Sequence, residues 1–490
     1  MKNKKVSKLF IAILTLAVSY ILLLIPTEEI PSLSSGPQRP FIWNLDSLWM
    51  NLETEFKTAS IDGCDKVTPK LDSLFLQSDS LLSQISAQKL EPSDKRFALL
   101  ENNIFKTATL IPTCGQYFPK YIDFYSSLRN SVKEQSIHWD LNSREAKNTL
   151  YRLLYGNRTA IEEVMLQLPK NQVSALINGI DEPSETPSGK LLGLDLHSGD
   201  ILVSRGGAPT SALIARGNDY PGNFSHIALV HVSSETNLIS IIESHIEVGV
   251  VISSLKEYLN DKKLRIMVLR MRSELIKDKP LLPHLAAEFA YQQTTENHIP
   301  YDFEMNFNES DKLFCSEVAS SAYREFGVKL WTDLSTISTI GARNWLAAFG
   351  VKYFETQEPA DLEYDPQLSV VAEWRDAETL YKDHMDNAVT DIMLEEAENG
   401  RMLSYDWYIL PIGRVMKYYS LILNMFGLEG PVPEGMSAEA ALKNVDYSDR
   451  HDAINKELIL LADKFENKNG YKPPYWELVK LARSASLQIP

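Results

Sequence analysis

The chain has 490 residues, a formal net charge of −16 at pH 7 and a hydrophobic residue content of 44%. This length suffices for two to four domains, and the apolar content is ordinary for a folded protein with a sizeable core. The acidic balance disfavours binding to the phosphate backbone of nucleic acids and broad binding to anionic lipids, although local basic patches remain open. We therefore expect a multidomain globular protein without a nucleic-acid partner.

The N-terminus carries an export or anchor signal. Four lysines precede an apolar run from Leu9 to Ile25, and such a positive flank stays on the cytoplasmic side of a membrane. The following IPTEEIPS is a poor cleavage sequence, so we favour an uncleaved membrane anchor over residues 1–26. Secretion after signal cleavage is the alternative. In either case the rest of the chain is expected to be extracytoplasmic, in the periplasm if the cell is Gram-negative.

The three cysteines, Cys64, Cys114 and Cys315, are an odd number for an oxidising compartment. Cys64 and Cys114 both lie in the N-terminal region, so we expect them to form a disulfide and Cys315 to stay free. The alternative is that all three thiols are reduced and buried.

Composition divides the rest of the chain into a linker, two helical flanks and a central domain. Residues 27–40 are rich in Pro, Ser and Gly and are predicted to form a linker. Apolar residues at helical spacing predict a helical domain over residues 41–180. Short runs rich in Val and Ile, followed by helical patterns, predict an α+β domain over residues 190–345. Residues 346–490 are predicted to be mainly helical.

Two long helices are predicted in the C-terminal region. One covers residues 370–400, and the other covers residues 411–427 and carries Arg414 and Lys417. The second helix is apolar enough to lie on a membrane surface. Its polar face is narrow, however, so we favour burial in a domain core.

His226 and Glu243 lie in two adjacent predicted strands, HIALVHV and LISIIES, which the turn-like SSETN joins. With four loop residues, Ser233–Thr236, Val232 opposes Asn237 and His226 opposes Glu243. Directly opposed residues project from the same face, with Cβ atoms about 5 Å apart. The hairpin therefore predicts contact between imidazole and carboxylate, and a one-residue slip would abolish that contact.

Cys315 precedes an apolar stripe that predicts a helix ending near Gly327. The thiol then lies in the first helical turn, where unpaired N–H groups and the positive end of the helix dipole favour a thiolate. The same N–H groups can stabilise an oxyanion on an attacked carbonyl. A base, an orienting carboxylate and a thiol in this arrangement fit nucleophilic cysteine catalysis.

Four segments together carry a family resemblance: SGDILVSRGG, YPGNFSHIALVHV, IIESHIEVGVVISSLKEYL and IPYDFEMNFNESDKLFCSEVASSAY. Over about residues 190–330 the chain resembles the YiiX/YebB-like permuted papain-fold amidases, relatives of the NlpC-type cell-wall hydrolases. The cysteine follows the histidine here, whereas it comes first in ordinary papain-like enzymes, as a circular permutation requires. The resemblance implies Cys315 as nucleophile, His226 as general base and Glu243 as the residue that orients the base.

By the same resemblance, Tyr301 and Asp302 are expected to be substrate-binding residues of the site wall. The alternative is that they only form a turn. The backbone N–H of Ser316 is expected to join the oxyanion hole. A second histidine, His245, lies near Glu243 in sequence and could compete for the orienting role.

The implied activity is that of a cysteine amidase or peptidase, which cleaves an amide or ester through a thioester intermediate. An acceptor other than water would make the same site an acyltransferase. The expected substrates are cell-wall peptides or lipid-linked amides, and no cofactor is expected. An alternative of a different kind is an envelope module that binds a lipid or a peptide without catalysis.

A metal site is a weaker alternative. His226, His231, His245, Glu243 and Glu247 lie close in sequence and include good zinc ligands. However, His231 has the opposite strand parity to His226, and no H-E-x-x-H or C-x-x-C pattern is present. We therefore expect no metal.

Overall fold

The structure is a computed structural model that describes residues 2–25, 38–43, 46–191, 193–307, 309–426 and 428–489. The helices are α1 (Lys2–Leu23), α2 (Asp46–Asp62), α3 (Cys64–Ser86), α4 (Lys95–Leu110), α5 (Phe118–Ser136), α6 (Arg144–Leu150), α7 (Gly156–Gln167), α8 (Pro209–Arg216), α9 (Leu255–Asn260), α10 (Leu282–Glu296), α11 (Cys315–Glu325), α12 (Ile340–Phe349), α13 (Asp361–Tyr364), α14 (Ala377–Glu398), α15 (Leu410–Asn424), α16 (Ala438–Asn469) and α17 (Tyr475–Ser486). The strands are β1 (Leu176–Asn178), β2 (Ser188–Leu191), β3 (Leu194–His197), β4 (Ile201–Gly206), β5 (His226–Val232), β6 (Ile239–His245), β7 (Gly249–Ser254), β8 (Lys263–Met271), β9 (Ser335–Thr336), β10 (Glu355–Thr356) and β11 (Leu368–Trp374).

One antiparallel sheet of seven strands lies at the centre, in the order β1-β11-β8-β4-β5-β6-β7. Its central strands β4, β5 and β8 are buried along nearly their whole length, because helices or other elements cover both faces. This burial explains why their sequences are continuous runs of Val, Ile and Leu rather than alternating patterns. With helices before, within and after the sheet, the fold is α+β, as the sequence predicts.

Strand β11, which lies between β1 and β8 in the sheet, differs from the sequence-based expectation. The pattern predicts one helix over residues 370–400, but Leu368–Trp374 is a strand and α14 begins only at Ala377. Val370 and Val371 are buried in the apolar cores on opposite faces of the sheet. A strand that is buried on both faces lacks alternation, so periodicity does not separate it from a buried helix.

The apolar core on one face of the sheet continues into the N-terminal helices. Phe75 of α3 and Tyr121 of α5 belong to the same cluster as Leu229 of β5 and Val318 of α11. The sheet also includes β1 and β11, which lie on either side of the range 190–345. The proposed domain boundaries stay a prediction.

A buried ion cluster connects the N-terminal helices, the sheet and α14. Glu162 of α7 contacts Arg265 at 2.5 Å, Arg375 at 3.0 Å and Arg158 at 3.4 Å, and all four side chains are at most 2% exposed. Arg265 also pairs with Asp383 of α14 at 2.5 Å. Burial alone would raise the pKa of Glu162, but the guanidinium groups hold it well below its usual value.

The expected disulfide is present. Cys64 at the start of α3 is bonded to Cys114, which follows α4, and it therefore links the helices of the N-terminal region. Cys315 is free and buried, as expected from the odd cysteine count.

The N-terminal apolar run forms α1. Within the described part of the chain, however, no helix combines the length and the hydropathy that a membrane crossing requires. The apolar part of α1 is only Leu9–Leu23, because lysines occupy its first turns, and a bilayer requires about 20 apolar residues. The predicted membrane-spanning anchor is therefore not supported. Most of the predicted linker, residues 27–37, lies outside the described residues.

Candidate active site

The predicted hairpin of β5 and β6 is present, but its register differs from the prediction. Ala228 pairs with Glu243 and Val232 pairs with Ile239, so the loop has six residues rather than four. The register has shifted by two residues. Because side chains alternate with a period of two, His226 and Glu243 still project from the same face of the sheet.

The longer loop has a local cause. The hydroxyl of Ser233 accepts hydrogen bonds from the backbone N–H groups of Glu235 and Thr236, which begins the turn inside the loop. Asn237 then adopts a left-handed conformation with φ of 55°, a conformation that Asn tolerates better than most residues. The pairing of β6 therefore starts only at Ile239.

The carboxylate of Glu243 connects two histidines. Its Oε2 lies 2.8 Å from Nε2 of His226, and its Oε1 lies 3.2 Å from Nε2 of His245. Burial alone would raise the pKa of Glu243, whose side chain is 2% exposed, but the hydrogen bond from His226 and the contact with His245 hold it well below its usual value. An ionised carboxylate only accepts hydrogen bonds, so Nε2 of His226 carries a proton. In neutral His226, Nδ1 is then the basic nitrogen.

The two histidines differ in their pKa values. Burial lowers the pKa of His226 despite its hydrogen bond to Glu243. Burial also acts on His245, but its contact with the charged Glu243 outweighs this effect and raises the pKa of His245. As the pH falls, His245 therefore accepts a proton before His226 does. The sequence singled out His245 as a competitor for the orienting role, and the structure shows that both histidines share one carboxylate.

Cys315 lies in the first turn of α11, which packs against β5. Its Sγ is 3.9 Å from the carbonyl oxygen of Ser225, the residue immediately before His226. Burial raises the pKa of the thiol to about 11, although the backbone N–H groups of Ile227 and Ser316 oppose this effect. The thiol is therefore neutral at pH 7 in the free protein. The predicted helix is confirmed, since Gly327, with φ of 83°, follows its last turn.

Ser316 is fully buried, and its backbone N–H belongs to the first turn of α11. The next residue, Glu317, turns back to accept a hydrogen bond from the backbone N–H of Phe314 at 3.2 Å. Burial raises the pKa of Glu317 to about 9. Glu317 therefore accepts a hydrogen bond from the backbone N–H of Phe314 at the start of the helix. It does not occupy the backbone N–H of Ser316, which stays open to another acceptor.

Tyr301 and Asp302 lie in the segment that precedes Cys315. Burial raises the pKa of Tyr301 well above its usual value, and the charge of a Cys315 thiolate raises it further. Asp302 instead accepts hydrogen bonds from the backbone N–H groups of Glu304 at 2.9 Å and Asn306 at 2.6 Å. Both carboxylate oxygens of Asp302 therefore accept hydrogen bonds within its own turn. Contact of either residue with a substrate stays a prediction.

Two groups near the thiol were not singled out by the sequence. The hydroxyl of Ser244 donates to the carbonyl oxygen of Leu313 at 2.7 Å and so ties β6 to the segment before Cys315. Glu358 is 4% exposed, and burial raises its pKa to about 8. When Glu358 is ionised, its negative charge raises the pKa values of both Cys315 and Tyr301. The position of Ser244 between Glu243 and His245 could have indicated its role in the sequence. Nothing in the sequence around Glu358 indicates a site.

The same side chains offer a set of metal ligands. Atoms of His226, Glu243 and His245 all lie within 4.8 Å of one another, and two imidazoles with a carboxylate are a donor set that zinc accepts. Nε2 of His226 already donates to Glu243, so a cation would have to displace this hydrogen bond. His231 is not part of the cluster, because its Nε2 lies 2.7 Å from Glu288 of α10.

Comparison with known proteins identifies the domain that carries these residues. Residues 195–372 match the model of the family described as permuted papain-like amidase enzyme, YaeF/YiiX, C92 family. No curated protein is significantly similar to the chain. The resemblance that the sequence motifs indicate is thus confirmed over this segment, which extends beyond residue 330 into β11. The segment is similar to permuted papain-like amidase domains.

Proposed function

We propose that the protein is a cysteine amidase or peptidase in which Cys315 is the nucleophile, His226 the general base and Glu243 the residue that orients the base. The observation that carries this proposal is the buried hydrogen bond between His226 and Glu243, next to the Ser225 carbonyl that contacts the Cys315 thiol. A buried carboxylate fixes the tautomer and the orientation of the imidazole, which is its role in other catalytic triads.

The mechanism starts from a neutral thiol, because burial raises the pKa of Cys315 to about 11. On substrate binding, the thiol proton passes to Nδ1 of His226 while the sulfur attacks the substrate carbonyl. The oxyanion of the tetrahedral intermediate accepts hydrogen bonds from N–H groups at the start of α11, including that of Ser316. His226 then gives the proton to the leaving amine, and the acyl group remains on Cys315 as a thioester.

The second half of the reaction uses the same groups. His226 takes a proton from a water molecule, which attacks the thioester, and the collapse of the intermediate releases a carboxylic acid and the Cys315 thiol. In this proposal, Tyr301 forms part of the substrate-binding wall, because it lies in the segment that precedes Cys315 and its pKa responds to the charge of that residue. Asp302 supports that wall through the backbone of its turn.

We further propose an extracytoplasmic location and a substrate of the cell envelope, either a cell-wall peptide or a lipid-linked amide. The disulfide between Cys64 and Cys114 supports an oxidising compartment, where such bonds persist. An acidic chain with a net charge of −16 does not favour a polyanionic substrate.

The test is acylation of the full-length protein by p-nitrophenyl acetate, an activated ester that needs no specific binding site. We expect an acetyl group on Cys315 by mass spectrometry and none at that position in Cys315→Ala. We expect His226→Gln to slow acylation about 10²-fold or more, since it removes the base. His231→Gln is the matched control, because it removes a histidine with its own carboxylate partner on the same strand and should leave the rate unchanged.

Equal acylation rates in the wild-type protein and His226→Gln would contradict the proposal. The thiol would then react as an ordinary buried cysteine, and the envelope-binding alternative would take its place. Activity that is lost on addition of a strong chelator would instead favour the metal alternative at His226, Glu243 and His245.

A further inference from the structure

An exposed apolar surface lies on and around α15, a helix that the sequence pattern favours as buried. Ten large side chains are each at least half exposed, and we call them the apolar ridge: Trp407, Tyr408, Ile412, Val415, Tyr418, Tyr419, Ile422, Met425, Phe426 and Leu428. Only Leu410, Pro411 and Ser420 of α15 are buried. Folded monomers rarely expose a contiguous apolar patch of this kind unless it binds something.

The ridge is continued by α1. The hydroxyl of Tyr20 donates to the carbonyl oxygen of Tyr408 at 2.7 Å, and Nη1 of Arg414 donates to the carbonyl oxygen of Leu23 at 2.9 Å. Apolar side chains of α1 such as Leu16, which is 70% exposed, remain uncovered beside the ridge. Two helices thus leave apolar faces uncovered on the same side of the molecule.

The chemistry of the ridge fits a lipid bilayer. Trp and Tyr are the residues that concentrate at the boundary between lipid headgroups and acyl chains, and the aliphatic side chains Ile412, Val415 and Ile422 share its helical stripe. No acidic residue lies between Trp407 and Leu428, although the chain has 65 Asp and Glu residues in all. The charged residues of this segment are both basic, and Arg414 pairs with Glu439 at 2.7 Å, so the segment itself carries no negative charge that phosphate headgroups would repel.

The segment after α15 connects the ridge to the wall of the candidate active site. The backbone N–H of Glu434 donates to the carbonyl oxygen of Glu247 at 3.1 Å. Gly435 packs so closely that a Cβ there would lie 2.4 Å from the ring of Phe303 and 3.4 Å from the carbonyl oxygen of Tyr301. Because Nζ of Lys417 in α15 donates to the carbonyl oxygen of Pro433 at 2.7 Å, this segment links α15 to that wall.

We propose that the apolar ridge docks on the surface of a phospholipid bilayer by inserting its aromatic and aliphatic side chains among the headgroups. Docking of this kind uses an exposed helix face that lies in the plane of the membrane and requires no spanning segment. It brings the wall that contains Tyr301 next to the bilayer. The docking surface stands independently of the catalytic proposal, because it shares no residue with the proposed triad.

The test is co-sedimentation of the full-length protein with large unilamellar vesicles of phosphatidylcholine and phosphatidylglycerol. The ridge variant carries Ile412→Glu, Val415→Glu and Tyr419→Glu together. The control variant carries Ile61→Glu, Leu76→Glu and Leu238→Glu, three exposed apolar residues far from α15 in sequence. Both variants lose three exposed apolar side chains and gain three negative charges, so they differ only in where the changes lie.

We expect the wild-type protein to bind the vesicles, the ridge variant to bind at least tenfold more weakly and the control variant to bind within twofold of wild type. All six substituted side chains are exposed, so the fold should persist, which circular dichroism checks. Absence of vesicle binding by the wild-type protein would overturn the proposal, as would equal loss in both variants. A dimer in size-exclusion chromatography that the ridge variant abolishes, without vesicle binding, would show that the ridge binds a second copy instead.

The docking test and the acylation test fail separately. Cys315→Ala should bind vesicles like the wild-type protein, and the ridge variant should be acylated by p-nitrophenyl acetate at the wild-type rate. A ridge variant that loses acylation in the absence of vesicles would show that its changes disturb the active site, and the docking interpretation would then be overturned.

Discussion

Two buried glutamates occupy comparable electrostatic settings but differ in their partners. Glu162 contacts three arginines in the ion cluster between α7, the sheet and α14, whereas Glu243 contacts two histidines at the candidate active site. Both side chains are at most 2% exposed, and the pKa of each is held well below its usual value against the effect of burial.

The difference lies in what the partners can do with a proton. A guanidinium does not release its proton in a protein, so the cluster around Glu162 is permanently charged and holds elements together. An imidazole gains or loses a proton near neutral pH, so the group around Glu243 can take part in proton transfer. The comparison teaches that a buried carboxylate with a lowered pKa indicates function only when its partners titrate.

The largest effect is expected from Glu162→Gln, which should lower the free energy of unfolding by about 3–5 kcal/mol, because it leaves buried guanidinium groups without their shared counter-ion. Urea denaturation at pH 7 measures this difference. Glu53→Gln removes a carboxylate that is 27% exposed and paired with Lys57 at 2.8 Å, and it should cost less than about 1 kcal/mol. If Glu162→Gln lost less free energy of unfolding than Glu53→Gln, the ion cluster would not be what holds α7, the sheet and α14 together.

Glu243→Gln should lower kcat/KM about 10²-fold, or slow the acylation of Cys315 to the same extent, while the midpoint of urea denaturation falls less than in Glu162→Gln. An amide has one accepting oxygen and one donating NH₂ group, so one of the two histidines faces a donor and loses its orientation. Glu288→Gln, on the partner of His231, is the control and should retain the wild-type rate. A parallel fall in stability and activity would place Glu243 with Glu162 as a structural residue.

Much of the site could be predicted because its signals are local. The position of the Cys315 thiol at the start of α11 could be predicted from the apolar stripe of that helix and the glycine that ends it. The shared face of His226 and Glu243 could be predicted from the alternation of side chains along a strand. Parity survives a shift of two residues, which is why the expected contact formed although the register was wrong. The register depended on the left-handed Asn237, and sequence periodicity does not report backbone conformation in a loop.

The remaining features depend on contacts between distant parts of the chain. Arg158 binds Glu363 across 205 residues, and β11 is recognisable as a strand only because elements from elsewhere cover both of its faces. The exposure of the apolar ridge likewise depends on which elements pack against α15. The sequence does not show this, so its apolar pattern and narrow polar face predicted a helix buried in a core. Such arrangements follow from the tertiary fold, and no local pattern encodes them.

A smaller effect on kcat/KM is expected from His245→Gln, a variant that tests which of the two histidines beside Glu243 is the base. The positive charge of a protonated His245 contributes to the low pKa of His226, so its removal should raise that pKa. Catalysis requires neutral His226, and the acid limb of the kcat/KM profile should therefore move to higher pH, with less than a threefold change at the optimum. A loss as large as that of His226→Gln would make His245 the base instead.

The smallest effect is a pH dependence of stability. The pKa of His245 is raised above its unfolded value, so its stabilising contribution is fully present below about pH 6.5 and is lost as the pH rises through the folded pKa. Thermal melting should therefore show the largest loss in His245→Gln at low pH, and the loss should shrink towards pH 8. Burial lowers the pKa of His284, so His284→Gln should show the opposite trend, with the wild-type protein losing stability relative to the variant as the pH falls. The same trend in both variants would mean that Glu243 does not bind protonated His245, and the contrast between titrating and permanently charged partners would not hold at this site.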